Sequence, residues 1–188
     1  MKHLGTKTLT TQRLILRQFK ASDSESMFKN WATDNKTTKY LTWKEHANIS
    51  QTNEIISNWI QNYKQDNFYH WAIVLKEIDE PIGSISVNRP IDNNIKSAII
   101  GYCIGSQWWH QGIMSEALTT IIKFLFDEVG VNRIEARHDI LNPNSGKVML
   151  KCGMKYEGTL RQSDRNNQGI CDSSYYGLLK SEWDSMQK

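Results

Sequence analysis

Residues 9–19 alternate mostly between apolar and polar side chains, the period-two pattern of a strand with one buried face. Ser22 ahead of Asp23 and Glu25 is a helix-start signal, which predicts a short helix to about Trp31. Residues 34–48 are polar with Tyr40, Leu41 and Trp43 embedded, a loop whose aromatics must pack on something. Ile55, Ile56, Trp59, Ile60 and Tyr63 recur at helical spacing and predict a helix over about 48–65. The continuous apolar run 71–75 reads as a buried strand, and 83–87 and 98–104 as two more. Pro81 and the Asp92-Asn-Asn turn keep their connections short, so these strands form an antiparallel meander.

Beyond Gly105 the texture changes to strand–helix–strand. Ile113, Ala117, Leu118, Ile121, Ile122, Leu125 and Val129 mark one long helix face that stops at Gly130. A strand is predicted over 133–138. A helix then opens at Asn142-Pro-Asn and ends at Gly153, and two strands follow over 154–160 and 174–179. The expectation is one α+β domain over residues 1–188: an antiparallel front with a β-α-β crossover behind it.

Composition narrows the function classes. At 188 residues with 39% hydrophobic and 23% charged positions, the chain has the make-up of an ordinary globular domain. It contains no apolar run long enough to span a membrane, and its first eleven residues are polar, unlike a secretory signal. Cys103, Cys152 and Cys171 are unevenly spaced and form no C-x-x-C pair, which argues against a disulfide framework or a structural metal and for the reducing cytoplasm. The formal charge of +3 is scattered. Lys147, Lys151 and Lys155 recur every four residues, as either a solvated helix face or a rim for an anionic ligand. They make no stripe long enough for a nucleic-acid groove.

Two segments carry candidate chemistry. Between the strand ending near Ile104 and the helix starting near Ile113, the backbone N–H groups of Gln111, Gly112, Ile113, Met114 and Ser115 converge, with the helix dipole behind them. Gly112 lets an anion approach the backbone, so a pyrophosphate fits there in principle, although neither a Walker loop nor Gly-x-Gly-x-x-Gly is present. At the next helix start, Asn142 and Ser145 stand three apart. Asn142 is either an N-cap or, with Ser145, a group facing a ligand threaded between strands.

Six motifs occur in order over residues 9–183: Thr11-Gln-Arg-Leu-Ile-Leu-Arg-Gln-Phe, Gly101-Tyr-Cys-Ile-Gly, Trp109-His-Gln-Gly-Ile-Met-Ser-Glu-Ala-Leu, Asn142-Pro-Asn-Ser, Cys152-Gly-Met-Lys-Tyr-Glu-Gly-Thr-Leu-Arg and Tyr176-Gly-Leu-Leu-Lys-Ser-Glu-Trp. Together they resemble the GNAT superfamily of acetyl-CoA-dependent N-acetyltransferases, and within it the Rim-type branch that acetylates N-termini of ribosomal proteins. The resemblance implies a mostly antiparallel twisted sheet of about seven strands flanked by helices, splayed between the fourth and fifth. It implies acetyl-CoA as co-substrate and no metal. Its pantetheine arm would pair with backbone of Tyr102, Cys103 and Ile104, its pyrophosphate would rest on 111–115, and Asn142 would bond the pantetheine amides. Ser145 would protonate the leaving sulfur, and Asp164 would accept the amine proton.

Two departures from the family pattern stand out. Met114 replaces a small residue in the phosphate loop, and Ile99 stands where many members carry a basic Glu. That leaves Asp164, Glu157, Glu116 or water as proton acceptor. Freeing a Lys amine (pKa ~10.4) at neutral pH costs about 3.5 kcal/mol more than freeing an α-amine (~7.7–8.0). Without the strand Glu, a protein N-terminus is the better-suited acceptor. A small amine such as an aminoglycoside or polyamine, and a non-catalytic acyl-CoA-binding module, are the alternatives. Tyr40, Trp43 and His70 are candidates to line the acceptor side or simply to pack. Arg13 and Arg17 read as surface charges, His110 as exposed, and Cys103 and Cys152 as buried small hydrophobes. Monomer and homodimer are both compatible, with no membrane or nucleic-acid partner.

Overall fold

Leu14 and Leu16 are fully buried while Ile15 and Arg17 are half-buried, the alternation expected of a strand over one core. In the computed structural model, which describes residues 1–187, the strand predicted over 9–19 is instead a tight hairpin. β1 (Leu9–Thr10) folds back on β2 (Leu14–Arg17) with Leu9 opposite Leu16. Thr11 causes the reversal: its hydroxyl accepts the Leu14 N–H at 2.9 Å, and its own N–H donates to Leu14 O at 3.0 Å. The predicted first helix is α1 (Ser24–Met27) with a wider turn to Ala32, and the segment expected as loop contains a one-turn helix, α2 (Asn35–Thr38). α3 (Ile49–Asn62) follows, capped by the Asn48 side chain on Gln51 N–H at 3.1 Å.

The meander is β3 (His70–Leu75), β4 (Glu80–Val87) and β5 (Ser97–Ile104). α4 (Ile113–Phe124), closed by a wide turn at Gly130, leads to β6 (Arg133–Asp139). α5 (Pro143–Lys151), β7 (Lys155–Asn166), β8 (Gly169–Leu179) and α6 (Lys180–Met186) complete the described chain. The eight strands form one sheet in the order β1-β2-β3-β4-β5-β6-β8-β7. All neighbours are antiparallel except β5 and β6, the parallel pair joined through α4. The count exceeds the expected seven only because the first strand divides in two.

The continuous apolar run in β3 reflects burial on both faces. Trp71 and Ile73 join the main core, where α4 supplies Ile113, Ala117, Leu118, Ile121 and Ile122. Ala72 and Val74 face a second cluster with Phe19, Met27, Trp31 and Ile56 from α1, α3 and their connections. The sheet is therefore sandwiched between helices, with the β5–β6 junction near its middle.

Candidate active site

β5 and β6 pair only along their first halves, from Ser97 opposite Arg133 to Ile100 opposite Ala136. Beyond Ile100 the strands part, as the resemblance implied. Strand parity assigns the freed backbone groups: Asn88 N–H donates to Ile99 O at 2.8 Å and Gly105 N–H to Ile82 O at 3.0 Å, so odd-numbered residues here face β4. Tyr102 and Ile104 face the opening, whereas the backbone of Cys103 belongs to the β4 ladder. The expected pairing of pantetheine with all three residues is corrected accordingly. Cys103 offers the cleft its side chain, and the carbonyl of Ile104 already accepts from Thr37 Oγ1 (3.2 Å) and Trp109 Nε1 (2.9 Å). Tyr102 and the N–H of Ile104 remain available.

Two cavities meet at this opening. One, of about 310 Å³, runs from Tyr102 and Ile104 past His110, Gly112, Ile113, Met114 and Ser115 to Lys147 and Lys151. Gly112 takes a left-handed conformation (φ 73°) and begins α4, whose first amide satisfied inside the helix is that of Glu116, on Gly112 O at 3.1 Å. The preceding residues 112–115 line this cavity. Gln111 is exposed beside it, its carbonyl held by Arg13 Nη1 at 2.9 Å. Met114 is buried and leaves the helix start intact.

The cations at this rim were only partly legible in the sequence. Arg13, expected as a surface charge, is pinned to Glu116 at 2.7 Å; its guanidinium and the Lys151 ammonium both approach the open side of Gly112. Lys155 is not part of the rim, since it lies on β7 and pairs with Glu182 at 2.6 Å. The concentration of positive charge, a glycine at left-handed φ and free helix-end amides suits the diphosphate of a nucleotide coenzyme.

The second cavity, of about 420 Å³, opens on the other side of the splay. It shares Tyr102, Cys103, Asn142, Ser145 and Leu41 with the first. Asn142 occupies the N-cap position of α5 but makes no side-chain cap hydrogen bond, and it lines both cavities. Ser145 Oγ donates to the Tyr102 hydroxyl at 3.1 Å, and that hydroxyl donates to Ser145 O at 2.9 Å. Burial pushes the Tyr102 phenol far above its ordinary pKa, so it stays a proton donor. The Tyr102 side chain was not singled out from sequence; only its backbone was.

Tyr40, Trp43 and His70 all line this second cavity. His70 packs on Trp59 (4.1 Å between ring centroids) and Phe19 (5.5 Å), and burial pushes its pKa down to about 3, so the ring is neutral. Ile99, the departure from the strand Glu of the resembled family, also lines this cavity. Of the candidate proton acceptors, Glu116 is bound by Arg13 and Thr11, and Glu157 by Arg133; neither lines the cavity. Asp164 does line it, held by Arg137 Nε and by the N–H of Arg165. Burial raises the pKa of Cys103 and Cys152; Cys152 is buried as expected, whereas Cys103 is half-buried and lines both cavities.

Two loops that showed no code in sequence are joined beside the second cavity. Asn167, in the β7–β8 turn, donates from Nδ2 to Thr38 O (2.7 Å) and Trp43 O (2.8 Å), and its N–H donates to Leu41 O (2.8 Å). Arg17, read as a surface charge, is instead a bidentate partner of buried Asp23 at 2.7 and 2.9 Å, fixing the chain into α1.

A splayed parallel strand pair, with an anion-binding helix start on one side and an aromatic-lined cavity on the other, is the layout of a coenzyme-A-dependent acyltransferase. The Acetyltransferase (GNAT) domain family matches residues 13–155, and the chain belongs to it. It is an acetyl-CoA-dependent N-acetyltransferase. N-acetyltransferase p20 of Bacillus licheniformis is 31% identical over 177 residues, covering 94% of this chain and 98% of that protein. The ribosomal-protein-serine acetyltransferase of Escherichia coli K12 is 36% identical over 115 residues, or 61% of this chain and 63% of that one. The crystal structure of the Microcin C7 self-immunity acetyltransferase MccE in complex with acetyl-CoA and AMP superposes with a TM-score of 0.80 at 23% identity, covering 90% and 93% of the two chains. Among the described residues no helix is long and apolar enough to cross a membrane, and no group of three metal-ligating side chains forms.

Proposed function

We propose that the acceptor is the α-amino group of a protein N-terminus. The observation that carries this reading is the breadth and aromatic lining of the acceptor cavity; Ile99 supports it, since β5 itself presents no carboxylate there. An α-amine is already partly free near neutral pH and asks less of the site. The cavity's breadth and aromatic lining suit the first residues of an extended peptide. The E. coli relative named for a ribosomal-protein serine supports the same acceptor class.

Acetyl-CoA supplies the activated thioester. The helix-start amides, with Arg13 and Lys151, would hold its diphosphate; Asn142 would orient the pantetheine amides beside Tyr102. The N–H of Ile104 would polarise the thioester carbonyl. Ser145, hydrogen-bonded to Tyr102, would deliver a proton to the departing sulfur. The three free cysteines fit a reducing compartment such as the cytoplasm.

The test is thiol release and product mass with acetyl-CoA and a panel of hexapeptides with free Ser, Ala, Thr or Met N-termini, set against spermidine, kanamycin and Nα-blocked lysine peptides. Preference by two orders of magnitude in kcat/KM for a free N-terminus is expected. A small amine winning by that margin refutes the reading, and acetyl-CoA binding without transfer to any panel member would leave a binding module.

A further inference from the structure

Two carboxylates line the acceptor cavity beside β6, and only one of them meets a cation. Asp164 is tied to the Arg137 guanidinium. Asp139, two residues along the same strand and so on the same face as Arg137, is 8% exposed and takes part in none of the ion pairs among the described residues. Its two oxygens accept from neutral donors, Leu141 N–H at 2.8 Å and Asn166 Nδ2 at 2.6 Å, with the neutral Cys171 thiol also against the carboxylate. A buried carboxylate lacking a cation is costly to maintain, and the fold keeps it at the wall of the cavity where a cationic amine has to bind. Arg137, the cation nearest along the strand, is already engaged by Asp164.

Resting on the N-terminal acceptor reading, we infer that Asp139 binds the acceptor's ammonium group and takes its proton. The N–H bond breaks with its electron pair left on nitrogen, and an O–H bond forms on Asp139. That lone pair then forms the C–N bond to the thioester carbonyl as the C–S bond breaks. The second N–H proton, shed as the amide forms, balances the sulfur as thiol; the proton on Asp139 returns to solvent through the cavity mouth. Arg137 acts by neutralising Asp164, which leaves Asp139 as the one carboxylate there without a protein cation.

Asp139 also shapes the turn that carries Asn142, whose N–H donates to Asp139 O at 2.7 Å, so the test must separate chemistry from support. The acceptor is the hexapeptide the wild type acetylates best. Asp139→Asn keeps an oxygen for Leu141 N–H and is expected to lower kcat/KM for that peptide at least 100-fold, with the KM for acetyl-CoA within twofold of wild type. Asp164→Asn is expected to lose less than tenfold. Added formate is expected to restore activity to Asp139→Ala, which a purely supporting role would not allow. Retention of more than a third of kcat/KM in Asp139→Asn, a larger loss in Asp164→Asn, a parallel rise in the KM for acetyl-CoA, or no formate rescue overturns the inference. A wild type that acetylates no panel amine defeats the acceptor reading as well.

Discussion

Asp34 begins α2 and ties it to the end of β5, and its charge should make the wall of the coenzyme cleft sensitive to acid. Its carboxylate accepts from Lys36 N–H (3.0 Å), Thr37 Oγ1 (2.8 Å) and Ser106 N–H (2.8 Å). Burial by itself would raise its pKa, but these hydrogen bonds, chiefly from Ser106 and Thr37, outweigh it and hold the group at about 2 against 3.8 for the free side chain. A folded pKa below the unfolded one contributes stability that is complete above about pH 4 and is lost as pH falls through about 2. The depression corresponds to about 2 kcal/mol at neutral pH, trimmed toward about 1 kcal/mol by partial solvent exposure, with roughly half remaining at pH 3. Urea denaturation of wild type and Asp34→Asn at a series of pH values reads the difference directly. The gap should be about 1–2 kcal/mol at pH 7, constant down to pH 4.5, and visibly smaller at pH 3. A gap that stays the same between pH 7 and pH 3, or that widens with acid, would refute the account. Because the one Thr37 hydroxyl proton is shared between Asp34 and Ile104 O, 3.2 Å away, a change in coenzyme binding should accompany the loss.

Ser145→Ala should cut kcat 100-fold or more while the KM for acetyl-CoA and the melting temperature stay nearly unchanged, checked by steady-state thiol release and a thermal melt. Gly146→Ala would ordinarily stabilise a helix, but the added Cβ would stand 2.6 Å from His138 Nε2 and 2.7 Å from the Tyr176 hydroxyl. A loss of about 1–3 kcal/mol, or several degrees in Tm by calorimetry, is expected. Lys151→Ala should weaken coenzyme A binding by roughly five- to tenfold in calorimetric titration at low salt, with the difference shrinking at high ionic strength.

The hydrophobic pattern along the chain determined the main elements, because amphipathic periods are local. The face of α4 from Ile113 to Ile122, the two-sided burial of β3 and the turn at Gly130 all follow from residues close in sequence. So did the helix-start amides after Gly112, since a strand, a glycine and a helix in succession suffice to place them. Tertiary structure alone decided which charges matter. Arg13 reaches Gly112 from a hairpin turn about a hundred residues earlier, Arg17 is buried against Asp23, and Asn167 joins two distant loops beside the acceptor cavity. Asp139 and Asp164 are alike as residues. One meets a guanidinium and the other only neutral donors, a distinction created when β6, β7 and β8 come together. Coulomb and desolvation energies depend on distance and burial in space, which a linear pattern of residue types does not encode.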